Sequence, residues 1–247
     1  MRRRFLRRLA KLALIAGGLP LTCNTVMANA LVLDSTVPGI QKLTELTDDR
    51  QLAIPLGRHL QVVVSQEGKV KTVQILGPRE GTVAALLRPE PTPQRIFNML
   101  QQLMQTGGAD ETGVAAARGS RAWLNVMVNG AHLESRGAIC VEDGTLPTLT
   151  RGTDGKDTSV VITDRQGKQS AQVDLTGLRA SWPTNVPIRD GGIYRVIPNT
   201  SAAVEFKLRV VPTGLLNDPT SIQALDALEA RACRQQVNSA LRKVVSQ

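Results

Sequence analysis

The chain has 247 residues, with 30 Lys and Arg against 21 Asp and Glu and a formal net charge of +9. Six of the basic residues (Arg2, Arg3, Arg4, Arg7, Arg8 and Lys11) and none of the acidic ones lie in the first thirty positions. The rest is left near +3, about the charge of an ordinary domain, which argues against a dedicated nucleic-acid binder. At 42% hydrophobic and 21% charged the chain is neither disordered by composition nor polytopic, and it is long enough for one or two domains.

Residues 1–30 run from a purely basic stretch through an apolar segment at 12–21 to a small-x-small end at Ala28-Asn29-Ala30. This is the layout of a secretory signal, cut between Ala30 and Leu31. The apolar segment is broken by Gly17, Gly18 and Pro20 and is about half the length of a spanning helix. Arg2-Arg3-Arg4-Phe5-Leu6-Arg7 approaches the twin-arginine pattern R-R-x-F-L-K, and an ordinary basic leader also fits, so the export route stays open. Cys23 invites lipidation, but Thr22 is a poor residue before a lipidated Cys. The mature chain is expected in the periplasm or secreted, with no transmembrane segment. Removing Cys23 leaves Cys140 and Cys233 in a compartment where disulfides persist, with one intramolecular connectivity. Two buried free thiols are the alternative.

Residues 31–91 read as a small β domain. Leu60, Val62 and Val64 alternate in the run 59–65, and 70–76 follows across Gln66-Glu67-Gly68-Lys69, which predicts a hairpin. Residues 92–106 predict a helix capped by Thr92, with Pro93 first and Ile96, Phe97, Leu100, Leu103 and Met104 on one face. Residues 107–120 are small and polar, a linker closing the segment 92–120. From 121 to 212 the pattern is β again: Ala122, Leu124, Val126 and Val128 alternate, a second hairpin joins 159–163 to 170–175, and Val204, Phe206, Leu208 and Val210 alternate with Glu205, Lys207 and Arg209. Strands at this spacing predict an antiparallel sandwich. Residues 213–247 predict a helical tail opened by Asp218 and Pro219, as one helix or two joined near Arg231. Its stripe of Ile222, Leu225, Leu228, Cys233, Val237, Leu241 and Val245 is expected to cover the sandwich. A Cys140–Cys233 bond would pin it there.

Two stretches resemble bacterial envelope proteins. PLG, HLQVVV, KVKTVQILGP and GTV between Ile54 and Val83 resemble the β segment of FecR-like proteins, over about thirty residues. AWLNV, GAICVEDG, SWPTNVPIRDGGIYRV and FKLRVVP, followed by a Cys-containing tail, resemble a group of exported bacterial proteins without an assigned activity. In that group Gly usually precedes the late Cys, where this chain has Ala232. Asp190-Gly191-Gly192-Ile193-Tyr194 is similar to the D-x-G-x-Y corner of immunoglobulin-like domains, which implies an Ig-like sandwich with Asp190 and Tyr194 as a structural corner. Fold does not carry function.

Chemistry is sparse. His132 and Glu134 would share one face of a strand without a third metal ligand, and Asp154 and Asp157 around Gly155 read as a turn more readily than a calcium loop. His59 stands alone. No G-x-S-x-G, H-E-x-x-H or Walker pattern occurs. These features predict no catalytic residues, no metal and no cofactor. The fold class is mainly β: a small FecR-like β domain, a linking helix, an Ig-like antiparallel sandwich and a C-terminal helix or helical hairpin. The expected function is an exported envelope binding or scaffolding module that meets another exported or membrane protein and no nucleic acid. A cell-wall or polysaccharide-binding accessory protein, with Trp123 or Trp182 exposed as a platform, is the alternative. An unrecognised hydrolase is a third.

Overall fold

Residues 30–33 are apolar without alternation because their strand is buried on both faces. They begin β1 (Ala30–Ser35), followed by β2 (Glu45–Leu46), β3 (Gln51–Ile54), β4 (His59–Gln66), β5 (Lys69–Leu76), β6 (Arg79–Thr82) and α1 (Val83–Leu87). The computed structural model describes residues 29–105, 126–128, 131–132, 137–151, 159–166, 168–177, 179–199 and 203–246. The order β2-β1-β4-β5 forms one antiparallel sheet, and β3 pairs with β6. Ala30, Val32, Leu60, Val62 and Val64 face a core closed by Leu52, Ile54, Val83 and Leu87. Leu31, Leu33, Val63 and Val70 face the other way, into helices.

The expected first hairpin is present, with a turn of only two residues between β4 and β5. Glu67 and Gly68 both take positive φ, +53° and +71°, the geometry that suits the right-handed twist of the two strands. The short α1 was not evident in the sequence. It starts where Thr82 Oγ1 accepts the Ala85 N–H at 3.2 Å.

Helix α2 (Gln94–Gln105) buries Ile96, Phe97, Leu100 and Leu103, as the stripe requires. Its start differs from expectation. Thr92 is buried, and its hydroxyl donates to Ser65 Oγ at 2.6 Å. Engaged with β4, Thr92 leaves the helix to begin after Pro93, whose carbonyl accepts the Ile96 N–H at 2.9 Å. The expected linker from 107 onward, and the strand start at Ala122 and Leu124, lie outside the described residues.

The second β unit comprises β7 (Val126–Val128), β8 (Ala131–His132), β9 (Ala138–Glu142), β10 (Thr148–Arg151), β11 (Ser159–Asp164), β12 (Gln169–Asp174), β13 (Arg179–Ser181), β14 (Ile193–Pro198) and β15 (Val204–Val211). One sheet runs β13-β10-β7-β8 and the other β12-β11-β14-β15-β9. They share a core in which Val128 and Leu149 meet Ile139, Val141, Ile162, Val196, Phe206 and Leu208 around Trp182 and Tyr194. The pairs are antiparallel except one: β9 lies parallel to β15, with Ala138 opposite Lys207 and Cys140 opposite Arg209.

The tail is two helices, α3 (Ile222–Ala230) and α4 (Arg234–Val245). Asp218 does not cap the first. It pairs with Lys69 Nζ at 2.6 Å, while Ser221 Oγ accepts the Ala224 N–H at 3.2 Å and caps α3. The helices separate at residues 231–233, where Ala232 takes φ +60°. The apolar stripe lies in one cluster with α2 and with Leu31, Leu33, Val63 and Val70 of the first sheet. The sequence places the tail on the sandwich. Here it packs on the first sheet as well and reaches the sandwich at Cys140 and Val211. Among the described residues no helix is long and apolar enough to cross a membrane.

Candidate binding cleft

Alternation along β9 sends Ile139 and Val141 into the sandwich core and Cys140 to the opposite face, toward the tail. Cys140 and Cys233 meet there as a disulfide, with their Cα atoms 5.8 Å apart, within the span that such a bond bridges. The bond has a companion. Gln236 Nε2 donates to the Cys140 carbonyl at 2.9 Å and its Oε1 accepts the Cys140 N–H at 2.7 Å. One side-chain amide thus does for β9 what a neighbouring strand would do, and the free edge is closed at that residue.

Beside this clasp lies an open cleft of about 360 Å³, floored by Gly137–Ile139 and Phe206, Lys207 and Arg209, and walled by Arg231, Ala232, Arg234 and Gln235. The period of two along β15 turns Lys207 and Arg209 away from the core that holds Phe206 and Leu208. The break between α3 and α4 brings Arg231 and Arg234 over the same floor. Four cations therefore line the cleft, and among the described residues that line it none is acidic. Among the described residues Arg209 has one loose ion-pair partner, Asp190 at 3.9 Å, and its buried Nε has no acceptor there. Arg231 Nε donates to the Val210 carbonyl at 2.9 Å, which fixes the guanidinium over the cleft while leaving its other N–H groups to act. Among the described residues Lys207, Arg231 and Arg234 make no ion pair. Cations held on a common concave surface repel one another, and an anion that enters relieves that repulsion.

The Asp190 and Tyr194 corner is built from backbone acceptors and donors. Tyr194 Oη donates to the Pro187 carbonyl at 2.8 Å and accepts the Arg189 N–H at 2.9 Å. Burial pushes the phenol above its ordinary value of 10.0, so the hydroxyl keeps its proton and both bonds. Asp190 Oδ1 accepts the Val210 N–H at 3.0 Å. Gly192 is required by closeness: a Cβ there would stand 2.8 Å from Tyr194 Oη.

Trp182 is 1% exposed and donates from Nε1 to the Val186 carbonyl at 2.7 Å, so it is a core residue and no carbohydrate platform. Trp123, Glu134, Asp154 and Asp157 lie outside the described residues, as does Ala28. His132 falls in β8. Ala30 and Leu31, either side of the expected signal cut, are both buried in β1, and Ala30 stands opposite Leu46 and Val64.

One arrangement not evident in the sequence has the outline of a catalytic triad. His59 Nε2 lies 2.9 Å from Asp34 Oδ2, and its Nδ1 lies 3.4 Å from Thr36 Oγ1. Thr36 Oγ1 is already engaged, accepting the His59 N–H at 2.8 Å and donating to the His59 carbonyl. It latches β1 to β4 beside the register shift at Val32 and Asp34. The bond from His59 holds the Asp34 carboxyl below its ordinary value. No group of three His, Cys, Asp or Glu among the described residues is placed to hold a metal.

No family model and no curated protein matches the chain.

Proposed function

We propose that the protein is an exported envelope module, periplasmic or secreted, that binds another exported or membrane protein and has no catalytic activity of its own. The observation that carries this reading is the basic cleft, lined by Lys207, Arg209, Arg231 and Arg234 and held in place by the Cys140–Cys233 pair. A disulfide fits an oxidising compartment. A fixed concave surface of a single charge favours oppositely charged partners and repels others. The FecR-like character of the first β unit belongs to the same proposal. Its sheet is covered by helices on one face and by its own core on the other, which leaves the cleft as the better contact surface.

The test is affinity capture from the envelope fraction, using the mature protein and a charge-reversed form, Lys207→Glu with Arg234→Glu. Arg234 is exposed and Lys207 half-buried, and neither makes an ion pair among the described residues. One envelope protein retained by the first and lost with the second is the expected result. Identical captures by the two forms would overturn the assignment of the cleft, and turnover of a polymer or peptide by the mature protein would overturn the non-catalytic reading.

A further inference from the structure

Resting on the reading of the cleft as the contact surface, we infer that its ligand is an acidic peptide segment of the partner, taken up in extended form alongside the start of β9. Charge is the first argument. Lys207, Arg209, Arg231 and Arg234 face a cavity whose described lining residues include no carboxylate. Carboxylate side chains are the complementary groups a protein partner offers, and Arg binds them through paired donors.

The second argument is the edge of the sheet. In a parallel ladder alternate residues direct both N–H and C=O to the same side. Cys140 directs both groups away from β15, since Gln236 takes both. Ala138, two residues earlier, is in the same phase. The bond that β15 makes just before Ala138 agrees: the Lys207 N–H donates to the Gly137 carbonyl at 2.9 Å, so Gly137 faces β15 and Ala138 faces away. Ala138 therefore presents one donor and one acceptor to the cleft, and no described residue takes them. Gln236 closes the edge at Cys140 and stops there. An incoming strand that pairs with Ala138 continues the sheet outward from β9, the usual manner of strand addition, and its alternate side chains fall among the four cations.

The geometry also limits the ligand. The cleft holds about 360 Å³, room for a few residues of an extended chain and too little for a folded element. A single pair of backbone bonds gives little selectivity, so the charges must supply it. Binding is therefore expected to weaken as salt rises.

The experiment uses the mature protein and three fluorescein-labelled octapeptides of alternating Val with Glu, Val with Gln, and Val with Glu carrying N-methyl groups on alternate amides. Fluorescence anisotropy reads the affinity. The Glu peptide is expected to bind about tenfold more tightly than either of the others, and about tenfold more tightly than it binds a Lys207→Gln, Arg234→Gln protein. Thermal midpoints of the two proteins should agree, and Arg58→Gln, on the first β unit, should bind like the parent. Equal binding of the Glu and Gln peptides overturns the inference. So does equal binding of the N-methylated peptide, which would mean that charge is read without strand pairing. If no peptide binds while envelope capture still depends on Lys207 and Arg234, the extended-peptide inference falls and the cleft assignment stands.

Discussion

Tyr194 carries a polar atom into a closed core, and both of its partners are backbone groups of one loop. Replacing it by Phe keeps the edge contact with Trp182, whose ring centroid lies 5.3 Å away, but leaves the Pro187 carbonyl and the Arg189 N–H unpaired. Leaving buried polar groups unpaired costs about 1–3 kcal/mol. Urea unfolding of Tyr194→Phe should show a loss of that size with an unchanged slope, and an unaltered midpoint would mean that water replaces the hydroxyl. Ala232 makes the opposite case. Its φ of +60° suits Gly and penalises a Cβ, so Ala232→Gly should stabilise the protein by about 0.5–1 kcal/mol. A lower midpoint in that variant would show that the Cβ contributes packing that outweighs its strain.

At the scale of elements, the β4–β5 turn and the tail hold each other. The Val70 N–H donates to the Thr220 carbonyl at 3.0 Å, the Ile222 N–H donates to the Gly68 carbonyl at 2.9 Å, and Lys69 pairs with Asp218. The bond from Lys69 first, and that from Thr220 next, hold the Asp218 carboxyl below its ordinary value of 3.8. A carboxylate depressed in the folded state contributes stability that is full above its unfolded value and is lost as pH falls through the folded one. The pair is partly exposed, so its worth is below about 1 kcal/mol. Asp218→Asn should therefore cost a few tenths of a kcal/mol near neutral pH, and the gap to the parent should close below about pH 4. A gap that widens in acid would contradict the assignment. β1 makes a second claim at this scale. The Asn29 N–H donates to the Leu46 carbonyl at 3.0 Å, and Ala30 is fully buried, so a chain that starts at Leu31 loses the first rung of the sheet. A form beginning at Asn29 should be more stable in urea than one beginning at Leu31 by about 1–2 kcal/mol. Equal stabilities would show that this rung contributes nothing.

Across the whole molecule, what can be read in advance is what short spans of chain decide. The hairpins follow from alternation around Gly68 and around residues 165–168, and the Cys140–Cys233 pairing follows from the two Cys that remain once the expected leader with Cys23 is set aside. Helix starts were less legible, because Thr92 and Asp218 have the chemistry of caps and are drawn off by Ser65 and Lys69 from distant elements. The cleft was not legible. Lys207 and Arg209 have the spacing of solvated charges on a half-buried strand, and only the parallel pairing of β9 with β15 and the turn at Ala232 bring Arg231 and Arg234 over them. Those contacts are non-local, and no pattern in the residues reports them.

The Cys140–Cys233 pair spans 93 positions, for which the chain-entropy estimate is on the order of 4–5 kcal/mol, so it ties the tail, the cleft and the sandwich into one stable body. Export and this bond stand or fall together in intact mass measurement of the protein recovered from the envelope fraction and treated with an alkylating agent without reductant. A single species without the basic leader and with no added alkyl group is the expected result, gaining two groups only after reduction. A species that retains Met1, or one that takes two alkyl groups before any reductant is added, would contradict it.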